Sequence, residues 1–350
     1  MHVLLVGSQE YPMYAPAWAR GLRELGIKVT VLDWTESLSR GVIGRLERRF
    51  LFGPGINRAK RKLLEVADDV RADVVLLYAV PVIDIVTIKY LSRWAWVTGY
   101  HNDDPFGQHK SNPSLKAWRT LIPYFQSHHV FRGKNIGDYR RCGVELVREL
   151  HHFYLPWMHR PIVLKGPDKG CYDNDIVFVG HAELDSRMSY LEELVSNGLQ
   201  VKVYGGTKYW QRYLPSKLKN VFGNIVPVYE DEYAKTIAGS KISLAFFSRA
   251  NHDDYTTRVF EIPAMGGFLM CERTSVMQDL YKEDSEAVMF SSREELIEKC
   301  NWYLKNDDKR IEIANAGRAR CISSGYDVVS RMKQWVGDIE NWSHKTYEDK

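Results

Sequence analysis

HVLLVGSQEYPMYAPAWARGLRELGIKVTVLD, residues 2 to 33, reads as strand, loop, helix, strand. His2 to Val6 is a short apolar run of the kind buried on both faces of a sheet, and Gly7 to Pro16 is a loop. Ala17 to Leu25 has helical composition and stops at Gly26, and Lys28 to Asp33 returns as a second strand. Two strands joined by a helix form the parallel crossover unit. The pattern recurs with a helix from about Ala59 to Val70, strand Val74 to Ala79, a helix from about Ile83 to Leu91 and strand Trp94 to Tyr100. A further strand is expected around Ser127 to Phe131.

Leu155 to Asp175 carries Pro156, Pro161, Gly166, Pro167 and Gly170 and lacks either periodicity, which marks a linker. Beyond it the alternation resumes: strand Asp175 to Gly180, a helix to Ser196, strand Val201 to Gly205, strand Lys241 to Phe246, a helix opening near Thr257 and strand Phe268 to Met270. The expected fold class is α/β, with two Rossmann-like domains of mostly parallel sheet. The expected domains are 1–160 and 161–330, with a final helix over 331–350 that can cross back to the first.

The 350 residues suit two domains of ordinary size. An apolar fraction of 45% and a charged fraction of 26% exclude wholesale disorder, and a formal charge of +4 is too small to demand a nucleic-acid partner. The charge is uneven. Arg40, Arg45, Arg48, Arg49, Arg58, Lys60, Arg61 and Lys62 stand against a single acid, Glu47. Such a stretch can lie on an anionic membrane, bind a charged polymer or form a solvated face. The five cysteines, at 142, 171, 271, 300 and 321, form no CxxC pair, which suits free thiols in a reducing compartment. With no secretory signal legible after Met1 and no apolar run of about 20 residues, a cytoplasmic protein is expected, with membrane association open through residues 40–62.

In open α/β sheets, ligands sit beyond the carboxyl ends of the strands. The first such loop, Gly7 to Pro12, has one glycine where a dinucleotide fingerprint needs GxGxxG, which argues against a nicotinamide cofactor. The sharper signal follows strand Ile242 to Phe247. There a polar loop, Ser248 to Tyr255, leads into TTRVFEIPAMGG, residues 256 to 267. Thr256 or Thr257 reads as an N-cap whose first-turn amides can meet a phosphate. Arg258 places a planar cation one turn in, suited to diphosphate oxygens. Glu261 offers two carboxylate oxygens to vicinal ribose hydroxyls, and Gly266-Gly267 ends the helix.

Asp253, seven intervening residues and Glu261 resemble the acidic pair of retaining transferases of the GT-B superfamily, commonly Glu at both ends. The run TTRVFEIPAMGGFLMCE is similar to the spore-maturation-protein-like branch of those enzymes, often grouped with glycosyltransferase family 4. NDIVFVGHAELDSRMSYLEEL with LQVKVYG, the helical SREELIEKCNWYLKNDDKRIEIANAGRAR, and the weaker YHNDDPFG and IPYFQSHHVF extend the resemblance from about Tyr100 to Arg320. It implies two domains facing across a cleft, the first for acceptor and the second for a nucleoside diphosphate sugar donor, with no separate cofactor. Glu261 would then hold the ribose, and Asp253, shorter than the usual Glu, would face the transferred sugar. Arg258 and the amides near Thr256 and Thr257 would meet the diphosphate. Gly180 and Arg187 would lie on the phosphate side, and Tyr204, Gly205, Gly206 and the Asn224 to Val228 loop, Val226 included, would border the base. A histidine after strand Trp94 to Tyr100, here His101, would contact the sugar.

Asp103 and Asp104 are the carboxylates available there for general-base work, and an Asx turn before Pro105 is the alternative for them. The two are contiguous, not spaced as DxD, and His128-His129 and His151-His152 point to opposite faces of a strand, so no metal is expected. No GxSxG elbow or P-loop is present. The expected activity is sugar transfer to a hydroxyl of a glycan, lipid, protein or nucleic-acid base, retaining and metal-independent. A nucleotide-sugar epimerase and a non-catalytic binding protein on the same scaffold are the alternatives.

Overall fold

The computed structural model describes residues 1–109 and 111–348, without the side chains of 344–348. Packing divides the chain into two units, Met1–His151 with Val328–Lys350, and His152–Asp327.

The first unit is built on six strands: β1 (His2–Val6), β2 (Lys28–Leu32), β3 (Val74–Tyr78), β4 (Trp96–His101), β5 (Ser127–Val130) and β6 (Val147–Glu149). They pair in parallel in the order β2-β1-β3-β4-β5-β6. The unbroken apolar runs of β1 and β3 are explained by helices on both faces. The helix Ala15–Glu24 opens with Pro16 near its start, where a missing amide is harmless, and the left-handed Gly26 (φ 76°) turns the chain into β2. Asp84 caps the helix Ile85–Leu91 by accepting the Thr87 amide at 2.9 Å, so that helix starts two residues later than periodicity suggested. The three-residue β6 was too short to leave a periodic signal.

The last helix, Val328–Glu348, belongs to this unit. Trp335 packs edge-on against Trp18 of the helix Ala15–Glu24 at 6.1 Å, and Gly21 admits Met332 and Val328. Asp338, buried, receives Nε2 of the buried His129 at 3.1 Å.

The second unit holds β7 (Asn174–Val179), β8 (Val201–Tyr204), β9 (Ser240–Ala245), β10 (Leu269–Glu272) and β11 (Val288–Phe290), parallel throughout in the order β11-β10-β9-β7-β8. Residues 155–167 hold no helix or strand, and Tyr154 begins the unit by donating its amide to Tyr326 O at 3.0 Å. The helix Arg258–Ala264 is buried from Val259 onward. Gly266 (φ 80°) closes it, with Gly267 N–H returning to Ile262 O at 2.9 Å, the Schellman arrangement that the Gly-Gly pair announces. The stretch expected to be helical forms two helices, Arg293–Leu304 and Asp307–Ser323.

Candidate functional site

In the second sheet the strand order reverses between β7 and β9, the position where connections depart in opposite directions and leave a crevice at the carboxyl ends. The loops after β7, β8 and β9 meet there. Gly180 donates its amide to Tyr204 O at 2.9 Å, and its carbonyl accepts Trp210 Nε1 at 3.0 Å. A Cβ on Gly205 would stand 2.0 Å from Gly180 O, so only glycine allows this approach. Gly205 N–H reaches Val226 O at 3.1 Å, and Gly206 leads into the helix Thr207–Tyr213. Gly180, Tyr204, Gly205, Gly206 and Val226 are therefore one cluster. Tyr209, half exposed, sets its ring 5.8 Å from that of His181 at the rim.

Arg258 crosses the switch point. From the helix after β9 its Nε donates to Val179 O, the last residue of β7, at 3.0 Å, and its guanidinium lies 5.1 Å over the Tyr233 ring. Nη1 bonds the Glu261 carboxylate one turn along. Glu261 is 1% exposed, and Tyr233 Oη donates to its Oε2 at 3.1 Å. Burial pushes the Glu261 carboxyl up, but the Arg258 charge, His159 and the two hydrogen bonds outweigh it and leave the pKa lowered. The paired carboxylate is the ionised form.

His159 completes this group. Its Nδ1 accepts the Leu155 amide at 3.0 Å, so the proton of the neutral ring sits on Nε2, which lies 4.0 Å from Glu261 Oε1 and has no hydrogen-bond partner among the described residues. Burial, with Arg258 nearby, lowers the His159 pKa despite Glu261. Neither His159 nor Tyr233 was among the residues read from sequence. Their contacts with Glu261 span 102 and 28 positions, and no local spacing encodes them.

Asp253 lies in the loop after β9, half-buried, with its amide bonded to Ser248 O at 2.8 Å. Thr257 stands at the N-cap position of the helix but makes no side-chain cap; its backbone is already helical (φ −53°, ψ −32°), and its hydroxyl accepts Arg258 Nη1 at 3.3 Å. Thr256 contributes its carbonyl to Val259 N–H.

Arg187 points inward. At 4% exposure it forks onto Asp185 (2.7 and 2.8 Å), donates to His181 O at 2.7 Å and approaches Glu183, bracing the loop after β7. Glu183 in turn accepts Ser248 Oγ at 2.6 Å, which ties that loop to the one after β9. Asp104, in the first unit, is 1% exposed; its Oδ1 accepts Phe106 N–H at 2.8 Å and Asn135 Nδ2 at 3.0 Å. The Phe106 contact is that of an Asx turn.

His101 ends β4, where the sheet order delivers it to a carboxyl end. Its Nδ1 accepts the Asp103 amide at 3.1 Å and its ring lies 5.3 Å from Trp118. Burial lowers the His101 pKa against the opposing pull of Asp103, keeping the ring neutral near pH 7. Asp103 sits on the exposed side of this turn. His101, Asp103 and Asp104 belong to the first unit; Asp253 and the expected donor residues belong to the second. Among the described residues, no three His, Cys, Asp or Glu side chains are grouped to hold a metal ion.

Residues 187–337 match the family model described as glycosyl transferase-like. No curated protein matches this chain in sequence. The Anabaena protein HepE, crystallised with UDP-glucose, superposes with a TM-score of 0.65 at 12% identity, over 97% of this chain and 100% of that one. Sucrose-phosphate synthase from Thermosynechococcus elongatus does so with 0.69 at 9% identity over 100% of both. The α,α-trehalose 6-phosphate synthase of Burkholderia multivorans gives 0.67 at 10% identity, over 99% of this chain and 98% of that one. At such identities the likeness is one of fold. That fold is GT-B, two parallel-sheet α/β domains.

Proposed function

We propose that this protein is a glycosyltransferase that moves a sugar from a nucleoside diphosphate sugar to an acceptor hydroxyl, and that the donor binds at the carboxyl ends of β7, β8 and β9. The observation that carries the reading is Arg258, held across the switch point with Glu261 one turn behind it. The two side chains neutralise each other in a buried setting; a donor would divide them, taking the guanidinium with its diphosphate and the carboxylate with its ribose hydroxyls. The glycine contact between the loops after β7 and β8 leaves backbone and the Tyr209 edge to border the base. HepE, similar in fold, was crystallised with UDP-glucose, which favours a donor of this class.

On this reading Arg258 supplies the positive charge that the departing diphosphate requires, so the reaction runs without a metal. Asp253 faces the transferred sugar and configuration is retained, the diphosphate oxygen taking the acceptor proton. His101 contacts the sugar, and Asp103 positions the acceptor. The motif at 256–267 supports a place in the spore-maturation-protein-like branch of family 4.

Calorimetric titration with UDP, GDP and dTDP tests the site and names the base. Arg258→Lys and Glu261→Ala should each weaken the preferred nucleotide about tenfold or more, whereas His101→Ala should spare binding and lower turnover. Unchanged affinity in both donor-loop variants would remove the site. Turnover should survive EDTA. An epimerised sugar nucleotide formed without acceptor would point instead to the epimerase.

A further inference from the structure

The helix Gly41–Phe50 packs with the opposite side from the one its composition suggests. Its buried residues are Gly44 and Glu47. A Cβ on Gly44 would come 1.8 Å from Ser39 O, so this glycine is the contact point. The Glu47 carboxylate accepts the amides of Ser39 and Gly55, each at 2.7 Å, and Ser39 Oγ at 3.1 Å. Gly53 (φ 130°) and Gly55 make room for it: a Cβ on either would press on the carboxylate at 2.9 or 2.3 Å. The single acid of residues 40–62 is thus an internal clasp.

What the clasp turns outward is apolar and cationic. Val42, Ile43, Leu46 and Phe50 fall within an arc of roughly 100° on the helix and are all exposed, Ile43 by 59% and Phe50 by 60%. Phe52 follows at 83%. Arg45 and Arg49 border the arc on one side, with Arg40 just ahead of the helix. Other cations of the segment are tied to acids: Arg48 to Glu10 at 2.8 Å, Lys60 to Asp84 at 3.0 Å and Lys62 to Glu36 at 3.3 Å. Arg40, Arg45 and Arg49 meet no acid among the described residues, and Arg49 lies 5.5 Å over the Phe50 ring.

We propose that the helix Gly41–Phe50, with Phe52, is a docking surface for an anionic lipid bilayer. A soluble polyanion would engage the arginines but leave five apolar side chains in water. A bilayer takes both, the apolar arc entering the headgroup and acyl boundary while the arginines meet the lipid phosphates. No described helix is long and apolar enough to cross a membrane, so the contact is peripheral. This inference does not depend on sugar transfer.

The test is flotation of the full chain with vesicles of phosphatidylcholine alone or with about one-third phosphatidylserine, at low and high salt. Wild type should float with the anionic vesicles, more weakly as salt rises. Phe50→Ser combined with Phe52→Ser should abolish flotation without moving the melting temperature, since both rings are outside the core. Arg45→Ala and Arg49→Ala should each weaken it by about fivefold. Absence of binding, equal binding to neutral vesicles, or retention of binding by the phenylalanine variant would overturn the proposal. So would sedimentation as a dimer that the same variant dissolves, because a second copy would then cover the face.

Discussion

At the scale of single residues, the pair of Arg258 with the buried Glu261 is where the second unit can be tested. Arg258→Met leaves the Glu261 carboxylate buried with Tyr233 and His159 alone and should cost about 3 kcal/mol in urea unfolding. Adding Glu261→Gln to it should recover part of that loss, because no buried charge then remains. A single-variant cost below about 1 kcal/mol would show that the pair is solvated. The pH sign follows from the lowered Glu261 pKa: its share of stability is present above the unfolded carboxyl value and is lost as pH falls through the folded one. The gap between wild type and Glu261→Gln should therefore close in acid. The short helix that carries Arg258 and Glu261 after β9 was legible because its signals are local. The inward fork of Arg187 was announced only by Asp185, two residues earlier. His159 left no local trace.

At the scale of elements, the alternation of strand and helix was read correctly wherever a strand was long enough to be apolar throughout, as in β1 and β3. It failed at β6 and β11, three residues each, and at the helix Gly41–Phe50, whose inward side is a glycine and a glutamate. The join between the loops after β7 and β8 is tight enough that Gly205→Ala should both destabilise the unit and reduce nucleotide affinity, measured by thermal shift with and without UDP. At the far end of the second sheet, Arg273 gathers Glu283, Glu295 and Ser291 around β10, β11 and the helix Arg293–Leu304. Its hydrogen bonds hold the Glu295 carboxyl down to about 2. That stability is fully present above the ordinary carboxyl range and disappears as pH falls toward 2. Glu295→Gln should lose on the order of 1–2 kcal/mol at neutral pH and less in acid, followed by urea unfolding across pH.

At the scale of the whole molecule, the two-unit α/β plan follows from the repeat of the crossover pattern on either side of the Pro- and Gly-rich stretch. Which unit receives the helix Val328–Glu348 does not, because it depends on Trp18, Gly21 and His129, all more than 190 positions away. Trp335→Ala should remove about 3–5 kcal/mol from the first unit while leaving nucleotide binding by the second intact. Loss of both together in calorimetric unfolding would mean that the units melt as one. The same arrangement bears on how the polypeptide is made. Residues 152–327 interrupt the first unit, whose closing helix is synthesised only after the whole of the second unit. The first unit therefore cannot close in amino-to-carboxyl order: Trp18 and His129 wait for partners that are made last.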